Sequence, residues 1–291
     1  MKPRFLQCLT LLAVLAVAIP VVSAQGILAW KLTAGESLNY TITQGTEMQL
    51  SVAGQRQSMK LNQVMSLAWN ISDVTSTEAS MDQVIKRIQL SSDGGIIGTF
   101  NFDSQDSAQA DSAIARSISD VFGKVIDQSF KVTMKNNGTI AAVQVPDAIL
   151  KTLPATGVVN EQTLRQMMTQ SAVTFPDTPV SADDSWESNQ KVDVQFGTMN
   201  IGSRLTFRGR DPETGHAVID VVPSLSITAD EESPQQISLR SSEGTGRILF
   251  DTERGRVVRS DLDLTMEMRV AQFGREIEQT VRQKTRMELA E

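Results

Sequence analysis

The stretch that decides the fold runs from Val258 to Val270 and reads VRSDLDLTMEMRV. Apolar and polar residues alternate along it, and alternation sends successive side chains of a strand to opposite faces. One face is apolar apart from Ser260 and carries Val258, Leu262, Leu264, Met266, Met268 and Val270. The other face is polar and carries Arg259, Asp261, Asp263, Thr265, Glu267 and Arg269. This pattern predicts a long strand with one face on a core and one face in water.

The same alternation of apolar and polar residues recurs on both sides of this stretch. After a turn near 272–274, alternate apolar positions continue from Ile277 to Leu289, which predicts an antiparallel hairpin whose opposite charges pair across its solvent face. Far upstream, residues 38–52 and 59–71 alternate in the same way, and strands near 84–90 and 96–102 are expected to extend that sheet.

The middle of the chain has a different pattern. Apolar residues at three- and four-residue spacing predict an amphipathic helix from Ala108 to Asp127, and short helices are predicted at 147–153 and 160–172. A hairpin with its turn at 136–138 lies between them. Two prolines predict an extended connector from Phe175 to Pro179.

The predicted fold is therefore mainly β, with large, curved antiparallel sheets, one amphipathic helix and a short helical connector. Residues 25–291 form a single domain or two lobes, 25–150 and 180–291, joined by the connector 147–179. The segments Ala34–Leu38 and Ala182–Trp186 resemble each other, and each opens a pair of strands. Two explanations of this resemblance compete: internal duplication of the chain, and the general similarity of hairpins.

The first 24 residues predict where the protein works. Lys2 and Arg4 precede an apolar run of about 14 residues, which is too short to cross a membrane. Small residues at Val22 to Ala24 predict that a signal peptide, residues 1–24, is cleaved off. The mature protein is then expected in the periplasm or the extracellular space, with no stable membrane insertion. The single cysteine, Cys8, lies in this segment, so disulfides and thiolate chemistry are not expected in the mature chain. A net charge of −7 disfavours nucleic-acid binding.

Three short motifs carry a family resemblance. They are Trp30-x-Leu32-x-x-Gly35-Glu36-x-Leu38-x-Tyr40, Pro179-Val180-x-x-x-Asp184-Ser185-Trp186 and Phe250-Asp251-x-x-x-Gly255-Arg256. In these motifs the chain resembles an uncharacterised family of secreted bacterial β-rich proteins, classed as a domain of unknown function. The resemblance implies export and a β fold, and it supplies no catalytic residues.

Few residues suit catalysis, and the sequence predicts no catalytic residue, no metal site and no cofactor. The single histidine, His216, follows a turn, and no nucleophile elbow accompanies it. Ser188 and Lys191 match a Ser-x-x-Lys motif, but they lie on a predicted strand that sends them to opposite faces. Pairs of carboxylates such as Asp261 and Asp263 keep a hydrolase open as an alternative.

Methionine is frequent on the apolar faces of the predicted strands. Flexible, polarizable methionine side chains suit surfaces that accept irregular apolar partners. The candidate ligand-binding residues are Met48, Met59, Met65, Met266, Met268 and Met287. They suggest a non-enzymatic protein that binds an apolar small molecule or a segment of an envelope protein on a methionine-lined sheet. Methionine that fills an ordinary core is the competing interpretation, and a structural or protein-interaction module of the cell envelope is the alternative function.

Overall fold

Antiparallel strands dominate the computed structural model. It describes residues 26–290 except 53–54, 96–97, 107–115, 117–119, 121, 151–160, 162–164, 166–167, 169–171, 195–196, 231–234 and 273–274. Within these residues twelve strands form one open sheet. The strands are β1 (Ser37–Val52), β2 (Gln55–Val74), β3 (Glu78–Gly94), β4 (Phe100–Asp103), β5 (Ser129–Lys135), β6 (Ile140–Gln144), β7 (Ser185–Val194), β8 (Gly197–Arg210), β9 (Ala217–Ala229), β10 (Gln235–Asp251), β11 (Arg256–Gln272) and β12 (Arg275–Leu289). The predicted mainly β, antiparallel fold is confirmed.

The strand order divides the sheet into two halves. The order is β6-β5-β3-β2-β1-β12-β11-β10-β9-β8-β7, with β4 on the same edge of β3 as β5. We call β1–β6 the N-terminal half and β7–β12 the C-terminal half. The halves join where β1 pairs with β12, in a register that runs from Tyr40 opposite Leu289 to Val52 opposite Ile277. Both halves therefore belong to one continuous sheet.

The hairpin predicted from Val258 to Leu289 is present as β11 and β12. Met266 lies opposite Val281 in this hairpin. On the other face, Arg286 Nε lies 2.6 Å from Asp261 Oδ1 and Lys284 Nζ lies 3.2 Å from Asp263 Oδ2. The predicted pairing of opposite charges across the solvent face is therefore confirmed.

Helices contribute little to the described part of the chain. The longest helix with defined bounds there is α1 (Asp147–Leu150), a single turn. Most of the helix predicted for 108–127, and most of that predicted for 160–172, lies outside the described residues. Within the connector 147–179, the backbone from Thr174 to Pro179 is not helical, in agreement with the extended segment predicted from Phe175 to Pro179. Pro176 and Pro179 account for this, since proline disfavours the helical conformation of the residue before it.

Aromatic side chains fill the core where the two halves meet. The face of the sheet that carries Tyr40, Trp69 and Phe250 is called the inner face, and the opposite face the outer face. Trp30, which precedes β1, packs between Trp69 and Phe250, with ring centroids 5.6 and 5.8 Å away. Phe250 contacts Phe175 of the connector edge-on at 4.7 Å. Through this cluster, the segment before β1 and the connector before β7 both pack on the inner face of the sheet.

The hydroxyl group of Tyr40 lies inside this core. It donates a hydrogen bond to the carbonyl oxygen of Val257 at 3.2 Å, which links β1 to β11 across the intervening β12. Burial raises the pKa of the Tyr40 phenol, because the ionised form would lose its hydration. Tyr40 therefore stays neutral and serves as a structural hydrogen-bond donor.

Candidate ligand-binding cavity

A cavity of about 600 Å³ lies on the inner face of the C-terminal half. We call it the inner cavity. Its lining residues come from β7 to β12 and from the connector before β7. The apolar side chains among them are Ala172, Val173, Met199, Ile201, Leu205, Val221, Leu225, Ile227, Ile237, Ile248, Leu262, Leu264, Met266, Met268 and Val270. Its volume falls within the range of about 300–1,000 Å³ that is usual for small-molecule sites.

The period-two pattern of the strands builds the floor of the inner cavity. Leu262, Leu264, Met266 and Met268 all point inward from β11, because alternate residues of a strand share a face. All four are only half-buried. The stretch from Val258 to Val270 therefore supplies the largest set of apolar side chains that remain partly exposed toward the cavity.

Residues 172–175 border the inner cavity on the side of the N-terminal half. Trp30 Nε1 donates a hydrogen bond to the carbonyl oxygen of Val173 at 2.9 Å, and Trp186 Nε1 donates one to that of Thr174 at 2.8 Å. The backbone amide of Phe175 donates to the carbonyl oxygen of Asn137 at 2.8 Å. Contacts from both halves of the sheet thus fix this border of the cavity.

Gly138 makes this arrangement possible at the turn between β5 and β6. Its φ of +89° favours glycine, and a Cβ built on it would lie 2.0 Å from the carbonyl oxygen of Val173. The close approach of the two backbones therefore requires a residue without a side chain.

The polar groups that line the inner cavity are uncharged. They are Thr174, Ser188, Gln190, Ser203, Gln279 and Gln283. Gln283 donates a hydrogen bond from Nε2 to Thr285 Oγ1 at 3.2 Å. Among the described residues, neither Gln190 nor Gln279 has a side-chain hydrogen-bond partner in the protein. The cavity therefore combines an apolar floor with neutral amide and hydroxyl groups at its two sides, on β12 and on β7 and β8.

The six predicted methionines share the inner face but not one site. Met266 and Met268 line the inner cavity, whereas Met65 is buried in the core of the N-terminal half with 7% exposure. Met48 and Met59 lie opposite each other on β1 and β2, and Met287 packs against the core. The sequence reasoning missed Met199, which lines the cavity from β8. Its alternation with Ile201 within a strand-like stretch was the available signal.

The outer face of the C-terminal half carries a groove of about 910 Å³ with charged walls. Its charges form a ladder across the strands: Arg208 contacts Asp220 at 2.9 Å, Arg247 contacts the same carboxylate at 3.0 Å, and Arg286 contacts Asp261 at 2.6 Å. Burial opposes ionisation of both aspartates, but hydrogen bonds from neighbouring arginines outweigh it and hold the pKa of each below its ordinary value. The ladder thus pairs its charges internally.

The residues weighed for catalysis do not form a site. Ser188 lines the inner cavity while Lys191 is exposed, since residues three apart on a strand point to opposite faces. His216 follows a turn organised by the Asp211 carboxylate, which accepts a hydrogen bond from the amide of Thr214 at 2.8 Å. In the described part of the chain, no three His, Cys, Asp or Glu side chains lie close enough to hold a metal ion. The same residues include no helix long and apolar enough to cross a membrane.

Solved structures of other proteins align with this chain at very low sequence identity. A structure described as "Lipid-protein interactions in lipovitellin" aligns with a TM-score of 0.50 and 10% identity, over 90% of this chain and 26% of that chain. The chain thus spans about a quarter of that protein, and the likeness shows a shared fold. An outer membrane channel of Pseudomonas putida F1 aligns with a TM-score of 0.26 and 6% identity, over 94% of this chain and 100% of the other. A DUF1329 family protein of Desulfovibrio piger aligns with a TM-score of 0.16 and 9% identity, over 84% and 83% of the two chains.

Sequence comparison gives a family and no individual relative. The model of a family described as "Family of unknown function (DUF6263)" matches residues 76–257. No curated protein sequence matches the chain. The matched range begins just before β3 and ends within β11, so it includes part of each half of the sheet.

Proposed function

The chain belongs to the DUF6263 family, and we propose that it is an exported, non-enzymatic protein that binds an apolar small molecule in the inner cavity. The ligand lies on the floor formed by β11 and replaces the water that its apolar side chains would otherwise contact. Removing apolar surface from water provides the main driving force.

The half-buried floor of the inner cavity carries this proposal. In the N-terminal half, inward-facing residues such as Met81 and Met134 are about 1% exposed, because other parts of the chain cover them. In the C-terminal half, Leu264 and Met266 occupy comparable inward positions and keep exposed surface. A concave, contiguous apolar surface of this kind is typical of a ligand site.

The fold likeness to lipovitellin agrees with this proposal. The lipovitellin structure concerns lipid–protein interactions, and the aligned portion covers 90% of the present chain. The likeness is one of fold, and by analogy it supports a lipid-like ligand for the inner cavity.

The two alternative functions have less support. A carboxylate hydrolase needs a general acid with a raised pKa, whereas hydrogen bonds from Arg259 and Arg286 outweigh burial and lower the pKa of Asp261. An interaction module that uses the β11–β12 hairpin would need free charges. Those of Asp261, Asp263, Lys284 and Arg286 are engaged with each other.

Binding of the fluorescent apolar probe N-phenyl-1-naphthylamine tests the proposal. We expect saturable binding to residues 25–291 produced without the predicted signal peptide. The variant Leu264→Gln places an amide on the cavity floor at similar side-chain volume, and we expect at least a tenfold weaker affinity. Thr265→Gln changes the next residue, which faces outward, and should bind like the unsubstituted protein.

The proposal fails if the probe does not bind, or if Leu264→Gln and Thr265→Gln have equal affinities. Circular dichroism and thermal unfolding of both variants separate a loss of binding from a loss of folding. Native mass spectrometry of protein purified from its own host gives an independent check, because a bound apolar molecule would add a discrete mass that is lost on denaturation.

A further inference from the structure

The polar groups of the inner cavity identify the class of its ligand. Resting on the proposed function, we infer that the inner cavity selects an uncharged lipid with a hydrogen-bonding ester or hydroxyl group, such as an acylglycerol, and discriminates against fatty-acid carboxylates and phospholipid phosphates.

The absence of charge from the described lining is the first observation. None of its residues is Asp, Glu, Lys, Arg or His. The charged residues of β11 and β12 that border it in sequence have the opposite parity: Arg282 and Lys284 flank the inward-facing Gln283, and both are exposed. Lys284 contacts Asp263 on the outer face. An anionic headgroup in the cavity would therefore find no cation among the described lining residues.

The identity of the polar groups is the second observation. An ionised group taken from water into an apolar cavity without a counter-charge loses far more hydration energy than a neutral one. Amide side chains can replace the hydrogen bonds to water that a neutral ester or hydroxyl group loses on binding, since each amide can both donate and accept a hydrogen bond. Gln279 lies on the cavity wall with no side-chain partner among the described residues, and Gln283 uses one amide hydrogen on Thr285. Both keep hydrogen-bonding capacity for a ligand.

The position of these amides is the third observation. Gln279 and Gln283 face inward from β12, next to the β11 floor that carries Leu264, Met266 and Met268. Gln283 lies opposite Leu264 and Gln279 lies opposite Met268. A ligand whose chain covers the β11 floor would therefore bring its polar end to an amide at either end of this wall.

Competition among three ligands with the same sixteen-carbon chain tests the inference. Monopalmitoylglycerol, palmitate and palmitoyl-lysophosphatidylglycerol are titrated against bound N-phenyl-1-naphthylamine at pH 7, below their critical micelle concentrations. We expect monopalmitoylglycerol to displace the probe at a concentration at least tenfold lower than either anion. Equal or better displacement by palmitate or the lysophospholipid overturns the inference while leaving the proposed function intact.

A charge variant provides the matching gain of function. Gln283→Lys adds a cation to the cavity wall, and we expect palmitate to gain at least tenfold relative to monopalmitoylglycerol. Thr280→Lys adds the same charge to the outer face of β12 and should leave the order of the ligands unchanged. If both lysine variants alter the order equally, general charge attraction accounts for it and the inference is wrong. If the probe itself does not bind the unsubstituted protein, the proposed function fails first and the inference fails with it.

Discussion

The two halves of the sheet have the same alternating pattern and differ in what covers their inner faces. In the N-terminal half, Met81, Ile85 and Met134 are each about 1% exposed. In the C-terminal half, Leu264 and Met266 remain half-buried and line a cavity. Strand pattern alone does not distinguish a core from a binding surface, because both require apolar residues at every second position.

The difference comes from residues outside the long strands. Phe122 stacks on Phe102 at 6.5 Å, and Ile126 forms a bridge with Ile85 at the edge of β3. Trp30 covers Trp69. In the described part of the chain, Trp30 and Phe175 also cover Phe250 of the C-terminal half, but Leu264 and Met266 stay half-buried. The chain thus completes the core around Met81 and Met134, and it leaves room for a ligand over Leu264 and Met266.

The largest expected effect is a contrast between two methionines. Met134→Ala removes a fully buried side chain from the N-terminal half and should lower the free energy of unfolding by about 2–5 kcal/mol. Met266→Ala removes a half-buried side chain from the cavity floor and should cost about 1 kcal/mol or less. Urea denaturation measures both values. Equal losses would mean that the halves do not differ in cover.

A smaller effect is expected from the turn between β5 and β6, which contacts the border of the inner cavity. Gly138→Ala demands a positive φ of alanine and brings Cβ against the carbonyl oxygen of Val173. We expect a loss of about 1–3 kcal/mol in the free energy of unfolding. Because Val173 borders the inner cavity, probe affinity should change as well. An unchanged affinity would show that the border at 172–175 does not influence the site.

The Asp103 carboxylate, which lies beside β3, contributes to the acid sensitivity of the N-terminal half. Hydrogen bonding by Arg87 is the main cause that holds the pKa of Asp103 at about 2. An aspartate in an unfolded chain has a pKa of about 3.9. The ionised pair therefore stabilises the fold above about pH 4, and this stabilisation is lost as the pH falls toward 2.

Arg87→Gln removes the main cause of this lowered pKa. The variant should be less stable than the unsubstituted protein at pH 6, and the difference between the two should shrink as the pH falls from 4 toward 2. Unfolding midpoints in urea at a series of pH values measure this. A difference that stays constant with pH would contradict the assigned cause.

The smallest effect is expected on the outer face of the C-terminal half. Arg286→Gln removes one cation from the contact with Asp261, in which the arginine side chain is 48% exposed. Exposed ion pairs contribute little, so the loss should stay below about 1 kcal/mol and should decrease further in 1 M salt. A loss as large as that of Met134→Ala would mean that the charged ladder, rather than the core, stabilises this half.

Local pattern was sufficient to predict most of the sheet. The strands at 37–52, 55–74 and 256–289 follow directly from alternation, and the charge pairs between β11 and β12 follow from their parity. The pairing of β1 with β12 could not be predicted in this way, because it joins segments about 240 residues apart. Alternation assigns each residue to a face of the sheet, but it does not specify which strand lies beside which.

The candidate site could be predicted only in part. Alternation identified the inward-facing methionines, but it could not separate Met65, which is buried, from Met266, which lines the cavity. That distinction depends on which inward-facing residues other segments of the chain cover, and alternation carries no information about this. The role of Gln279 and Gln283 could not be predicted from the sequence. A polar residue on an apolar face is recognisable as a binding group only once a cavity is known.

The β1–β12 pairing has a consequence for how the protein is made. A ribosome completes β1 early and β12 after every other strand of the sheet, so the edge of β1 has no partner for most of synthesis. The C-terminal half likewise keeps the edge of β11 open until β12 is added. An unpaired strand edge is a site for pairing with other chains. A nascent chain of this protein is therefore most exposed to misassociation just before its last strand emerges, and a holding factor would be most effective at that moment.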